Sequence, residues 1–322
     1  MTDKPTAPLA IIVGPTAAGK SAIALELARA SGRAIISADS RQIYRQFNLG
    51  TAKPGAEERR NVRHFGIDIV DATERYSAHA WATDARMWMR TAQTAGPGTI
   101  IVGGTGFYIR SLVRPLASAP AIDGQRRRKL ERWFDALDVD TLRRWCTRLD
   151  PSRAHLGRTQ LIRAVETALL SGTRLGDAHA AQWAAPPESQ DGAEPDPKPV
   201  AARYLVVDPG PLLGERIRSR VHTMVEQGWP EEVRSLMATV PANAPGWLAS
   251  GYQVMRQHVQ GTLRREEAIE RIVIETRQYA KRQRTWFRHQ LTDGIVTCIS
   301  PSEPHAFEQA RAWLDALENN AR

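Results

Sequence analysis

Cysteine is almost absent: Cys146 and Cys298 are the only two, far apart and in no CxxC pair. Neither a zinc site nor a disulfide framework can be built from them, and a reducing compartment is expected. Long apolar runs are missing as well. No stretch approaches the ~20 residues needed to span a bilayer, and the run within the N-terminal MTDKPTAPLAIIVG is too short for a signal peptide. The expectation is therefore no membrane, no zinc and a cytoplasmic protein. Acids are in deficit: 35 Asp and Glu against 44 Lys and Arg give a net charge of +9 and a pI near 10.0. Such a balance favours a polyanionic partner and is silent about fold.

What is present has the composition of an ordinary globular protein, with 42% hydrophobic and 25% charged residues. A chain of 322 residues can hold one large domain and a smaller one. The strongest local signal lies at its start. The apolar run Leu9–Val13 leads into Gly14-Pro15-Thr16-Ala17-Ala18-Gly19-Lys20-Ser21 and then an Ala- and Leu-rich segment, which reads as strand, phosphate loop and helix. Gly14 and Gly19 let the backbone turn where a Cβ would clash, so that successive N–H groups converge on an anion. Lys20 adds a mobile charge, Ser21 can ligate Mg²⁺, and the helix beginning near Gly19 presents its positive end. The expected fold is α/β, a P-loop NTPase-like parallel sheet core. Which phosphate compound is bound stays open at this point.

A second buried strand, Ala34–Ser37, ends in Ala38-Asp39-Ser40-Arg41-Gln42. Ligands of open parallel sheets bind beyond the carboxyl ends of the strands, which puts Asp39 near the phosphate loop either as a base or as the cap of the next turn. Thr51-Ala52-Lys53-Pro54 reads as a polar loop. Phe65–Asp71 reads as a third strand, and Ser77 as the N-cap of a helix reaching about Ala92. His64, with no partner at ligand spacing, is expected to be structural. Thr99–Val102 is a further strand running into Gly103-Gly104-Thr105-Gly106. A phosphate-loop ATPase usually carries an Asp there for Mg²⁺, so the glycines argue against a motor ATPase. They suit either a tight turn or a loop that touches substrate.

From about Pro120 to Pro199 helical periodicity and basic clusters such as Arg126-Arg127-Arg128-Lys129 replace strand character, and a Pro-rich tract, Pro186–Pro199, closes the segment. The chain thus divides into residues 1–119, an inserted helical domain 120–199 and residues 200–322. Asp150-Pro151 opens a helix near Ser152, and Thr159–Leu170 forms another, while Arg203–Asp208 returns to strand. On the helix from Leu212, Arg216 and Arg220 share a face, as a diphosphate clamp or as a solvated stripe beside Glu215. On the long helix from near Glu266, Arg277, Lys281, Arg284 and Arg288 form one cationic face. Ile269, Val273, Ala280 and Phe287 line the neighbouring apolar face. No acid lies between Thr276 and Gln290, and Trp286 adds a stacking surface, a pattern that suits nucleic acid.

The ordered set GPTAAGKS, SADSRQIY, GTAKP, HFGIDIVDATERYSA, VGGTGFYI, SGYQVM and TRQYAKRQRTWFR resembles the bacterial tRNA dimethylallyltransferases, or isopentenyltransferases, over nearly the whole chain. The resemblance implies transfer of a dimethylallyl group from dimethylallyl diphosphate to N6 of the adenosine 3′-adjacent to the anticodon. It implies Asp39 as base and Thr105 as the residue holding the adenine. Thr16, Lys20 and the loop amides would hold the diphosphate, with Mg²⁺ and with Arg216 or Arg220 completing the clamp. By the same comparison tRNA would meet Asp39, Ser40, Arg41, Gln42, Thr105, Arg127, the run Gln160-Leu161-Ile162-Arg163-Ala164, and Gly251-Tyr252. The stretch Lys281-Arg282-Gln283-Arg284-Thr285-Trp286-Phe287-Arg288 completes that footprint. The chain departs from the family pattern at Arg158-Thr159-Gln160, where Pro-Asn-Asp and an Arg are usual, and at Arg63-His64, where the family has His-His. The implied partners are the tRNA anticodon stem-loop and dimethylallyl diphosphate, with the enzyme a monomer. The rival reading is a P-loop kinase that passes phosphate from ATP to a small hydroxyl acceptor, with Asp39 as its base.

Overall fold

The computed structural model describes residues 8–114, 124–177, 200–291 and 294–319. Apolar runs bounded by turn residues form β1 (Leu9–Val13), β2 (Ala34–Ser37), a two-residue β3 (His64–Phe65), β4 (Thr99–Gly103), β5 (Ala202–Val207) and β6 (Gly294–Ile299). Neighbours pair in parallel throughout, in the order β3-β2-β4-β1-β5-β6. The helices are α1 (Lys20–Ser31), α2 (Ala56–Asn61), α3 (Ala78–Ala95), α4 (Gly106–Val113), α5 (Gly124–Asp135), α6 (Val139–Leu149) and α7 (Arg158–Ser171). After β5 come α8 (Leu213–Glu226), α9 (Trp229–Thr239), α10 (Tyr252–Val259), α11 (Arg265–Gln290) and, beyond β6, α12 (Ala306–Asn319).

Helices cover both faces of the central strands, which is why runs such as LAIIV and TIIVG are apolar without alternation. Successive side chains still point to opposite faces. Ile12, Val102 and Leu205 meet α1 and α12, whereas Ile11, Val13 and Ile101 meet Trp81 of α3, Tyr108 of α4 and Phe287 of α11. A further core lies among α8 to α11, where Phe47 packs on Tyr252 and Trp247 with ring centroids 4.8 and 5.4 Å apart. Ser77 caps α3 as expected, its Oγ accepting the Ala80 N–H at 3.0 Å.

Two elements differ from expectation. The third strand stops at Phe65 instead of running to Asp71, because Gly66 (φ 76°) and Asp68 (φ 58°) turn the chain out of the sheet. Val70 returns only as an isolated bridge to Tyr44. Conversely, β6 was not expected. It is an edge strand with an exposed Ile295 and Val296, so neither alternation nor burial marks its sequence.

By its contacts the chain forms two compact units, Met1–Arg114 with Lys198–Arg322, and Pro115–Pro197. The second is helical where described, with Phe134, Leu142, Cys146, Leu161, Ala164 and Val165 as its core. The Pro-rich tract 186–199 lies outside the described residues. No helix among those described is long and apolar enough to cross a membrane.

Candidate active site

The phosphate loop joins β1 to α1 at the carboxyl edge of the sheet. A Cβ on Gly14 would lie 2.1 Å from the Val207 carbonyl oxygen, so the loop can leave β1 against β5 only with glycine there. Gly19 is left-handed at φ 96°, and Ala17 holds the same region at φ 62°. Arg216 supports that strained residue by donating Nε–H to the Ala17 carbonyl at 3.1 Å. Lys20 donates to the Pro15 carbonyl at 2.7 Å, a bond internal to the loop. Burial, then the nearby Arg220 guanidinium, lower the Lys20 pKa to about 8, while the Asp39 carboxylate opposes the shift. Burial lowers Arg220 as well, again against Asp39.

A cavity of about 640 Å³ opens above this loop. Thr16, Lys20, Ser21, Arg216 and Arg220 line it together with Asp39, Gln42, Tyr279 and Gln283. Both readings of Asp39 hold at once. Its Oδ1 accepts the Arg41 N–H at 2.8 Å, which caps the turn, and the carboxylate still faces the cavity. Thr105 heads α4 across the next strand, and its Oγ1 accepts the Ser40 N–H at 3.0 Å. No local sequence signal marks Tyr279, which also lines the cavity. Burial and the Asp39 charge push its hydroxyl up to about 12, and it is hydrogen-bonded to Thr105.

Several expected tRNA contacts are instead structural. Tyr252 is fully buried: its hydroxyl donates to Glu232 Oε1 at 2.5 Å and accepts the Gly50 N–H at 3.1 Å, and Gly251 beside it is buried too. Tyr252→Phe should keep the ring packing yet leave Glu232 and Gly50 short of a partner. The expected cost is about 1–3 kcal/mol of stability with tRNA affinity unchanged, checked by denaturant unfolding and filter binding. Gln42 is pinned by the Ser37 hydroxyl at 2.8 Å and by the Thr51 and Ala52 carbonyls at 3.2 and 3.0 Å. Lys53, in the polar loop Thr51–Pro54, has a side chain only 3% exposed that binds Asp68 at 2.6 Å. His64 is structural as expected, bonded to the Val62 carbonyl at 2.8 Å.

The cationic face of α11 is split. Arg284 holds Asp208 through two nitrogens, Nε to Oδ2 at 2.8 Å and Nη2 to Oδ1 at 2.5 Å, and also reaches the Gly210 carbonyl. Arg277 donates to the Gly214 carbonyl at 3.3 Å. The acid missing between Thr276 and Gln290 is thus supplied from outside the helix, by Asp208. Gln283 and Phe287 are buried. Lys281, Arg282, Thr285 and Arg288 remain exposed, and the first three line a shallow groove of about 460 Å³ with Trp286.

In the helical unit Arg127 and Arg163 converge on Glu166, at 2.9 and 3.1 Å, and that carboxylate is 2% exposed. Leu161 and Ala164 are core residues, and Ile162 packs beside them, so none of the three presents a polar group to RNA. Gln160 accepts the Gly157 N–H at 3.2 Å and so caps α7, a role the family's usual Arg could not fill.

An anion cradle without an acid after β4, facing a carboxylate in the same cavity, marks a phosphate-loop transferase rather than a motor ATPase. Residues 42–290 match the model of the IPP transferase family, and the chain belongs to that family. It is 39% identical to the tRNA dimethylallyltransferase of Geobacter metallireducens over 285 residues, 87% of this chain and 89% of that one. It is 35% identical to the tRNA dimethylallyltransferase of Synechococcus elongatus over 314 residues, 96% and 95% of the two chains. The solved full-length tRNA isopentenylpyrophosphate transferase of Bacillus halodurans superposes with a TM-score of 0.67 at 28% identity, covering 98% of each chain.

Proposed function

We propose that this cavity transfers a dimethylallyl group from dimethylallyl diphosphate to N6 of the adenosine 3′-adjacent to the anticodon in tRNA. One juxtaposition carries the reading: Asp39 lines the same cavity as the phosphate-loop residues Thr16, Lys20 and Ser21. The N6 lone pair is delocalised into the purine, so the amine attacks the allylic carbon only if a base takes its proton, and Asp39 would be that base. The N6–C1 bond forms as the C1–O bond breaks, the proton passes to the carboxylate, and pyrophosphate leaves. Charge that grows on the departing diphosphate meets Lys20, the loop amides, Arg216 and Arg220, which stabilise it most when the bond is nearly broken. Thr105, whose Oγ1 accepts the N–H of Ser40, the residue after Asp39, would orient the adenine. A base reaches such a cavity only when splayed out of its stack, as anticodon-loop bases can be.

The donors present suit Mg²⁺. Ser21 gives a hard hydroxyl oxygen on the cavity wall, and no cluster of metal-binding side chains occurs among the described residues to compete for the ion. Ser21 would hold the ion, which would supply further charge neutralisation to the diphosphate.

Mass spectrometry of nucleosides from treated tRNA, with labelled dimethylallyl diphosphate and labelled ATP supplied together, tests the reading. Isopentenyladenosine should appear without ATP use. tRNA-dependent ATP consumption lacking prenyl incorporation would instead establish the kinase.

Lys20 adds a pH signature. In the free protein it is charged below about pH 8 and neutral above. A bound diphosphate holds it charged, so binding takes up a proton above that point. KM for dimethylallyl diphosphate should rise about tenfold per pH unit above 8 and level off just below it. Lys20→Met should bind weakly and lose this dependence. A profile in wild type that stays flat through pH 8 to 10 would contradict it.

A further inference from the structure

The apolar stripe of α11 contains a polar interruption. Gln283 lies between Ala280 and Phe287 on the buried side and is itself only 6% exposed. Both ends of its carboxamide are engaged, Oε1 accepting the Thr16 N–H at 2.8 Å and Nε2 donating to the Gly104 carbonyl at 2.8 Å. These partners sit on the loops that follow β1 and β4, adjacent strands of the sheet. The fit is close, since a Cβ on Gly104 would come within 2.2 Å of Nε2. A neutral carboxamide, offering one acceptor and one donor side by side, satisfies both loops at once.

Thr16 begins the stretch that ends in Lys20, and Gly104 immediately precedes Thr105. We propose that Gln283 is a positioning residue that ties the phosphate loop to the glycine loop before Thr105, fixing the diphosphate relative to the acceptor base. The proposal rests on the reading of the cavity given above. It also gives both ends of the Gln283 amide a partner within the protein, which assigns the residue to the cavity and not to the RNA footprint.

Gln283→Glu changes almost nothing in size. As a carboxylate it has no donor for Gly104 and sets a negative charge beside the diphosphate. Once protonated it again offers a donor and an acceptor. At about pH 8 its KM for dimethylallyl diphosphate should exceed that of wild type by ~10-fold or more, with the dissociation constant for tRNA unchanged. The ratio of the two KM values should shrink as pH is lowered toward about 6, since burial raises a carboxyl pKa. Gln283→Met, similar in length and without the amide, should show the deficit at every pH.

Calorimetric titration with inorganic pyrophosphate should reproduce both patterns. Because that titration needs no prenyl transfer, it separates failure of this proposal from failure of the assigned reaction. Unchanged pyrophosphate affinity in both variants would overturn the proposal, as would a Gln283→Glu deficit that ignores pH. A loss of tRNA affinity with pyrophosphate binding intact would make Gln283 an RNA contact instead.

Discussion

Asp39→Asn should lower prenyl transfer by ~10²-fold or more at saturating substrates and leave tRNA affinity intact. The substitution is clean because the two roles of Asp39 separate. Asn retains an Oδ1 that can accept the Arg41 N–H, the 2.8 Å contact that caps the turn, so the loop carrying Ser40 to Gln42 keeps its shape. What disappears is the proton acceptor facing the cavity. A second consequence follows from charge. Asp39 opposes the two influences that lower Lys20, so its neutralisation lets the Lys20 pKa drop further. The variant should therefore need more diphosphate near pH 8, and the comparison of rates belongs well below that pH, under the lowered Lys20 pKa of the variant as well. Single-turnover transfer measured with filter-bound tRNA settles the matter. A variant that transfers as fast as wild type would remove Asp39 from the reaction.

How far the site could be read in advance depended on the distance along the chain over which each residue acts. The phosphate loop was legible because its requirements are local: glycines at fixed spacing, a lysine, a hydroxyl, and a helix start within a few residues. Asp39 was legible because strand polarity places it, whatever the partner. Gln283 carried a detectable sign, a polar side chain in the row Ile269, Val273, Ala280 and Phe287, yet its partners lie 267 and 179 residues away. Arg284 illustrates the opposite error. The absence of acids between Thr276 and Gln290 suggested an unpaired cation, but the neutralising Asp208 stands 76 residues earlier, just beyond β5. Lys53 failed similarly, since a lysine in a polar loop gives no hint that the loop folds over it. Periodicity tells which side of a helix faces inward. It cannot tell which charges find partners after the helix docks.

That distinction sets the size of the salt effect on tRNA binding. Arg284 is neutralised by Asp208 and Arg277 gives an N–H to a backbone carbonyl, so beyond Tyr279 on α11 the exposed cations left for phosphates are Lys281, Arg282 and Arg288. The helical unit adds exposed Lys129, Arg132 and Arg148. If about six phosphates are neutralised by these groups, the association constant should fall by roughly 10³ between 50 and 200 mM salt. Lys281→Ala should reduce the slope of log K against log salt by about one and leave the transfer step unchanged. Arg284→Ala should do neither, because its charge is already matched by Asp208. Its loss should appear as lower stability, with the half-buried Asp208 carboxylate keeping only the Gly210 N–H at 2.9 Å. Equal slopes for wild type and Lys281→Ala, or a slope reduced by Arg284→Ala, would mean that a different set of cations meets the RNA.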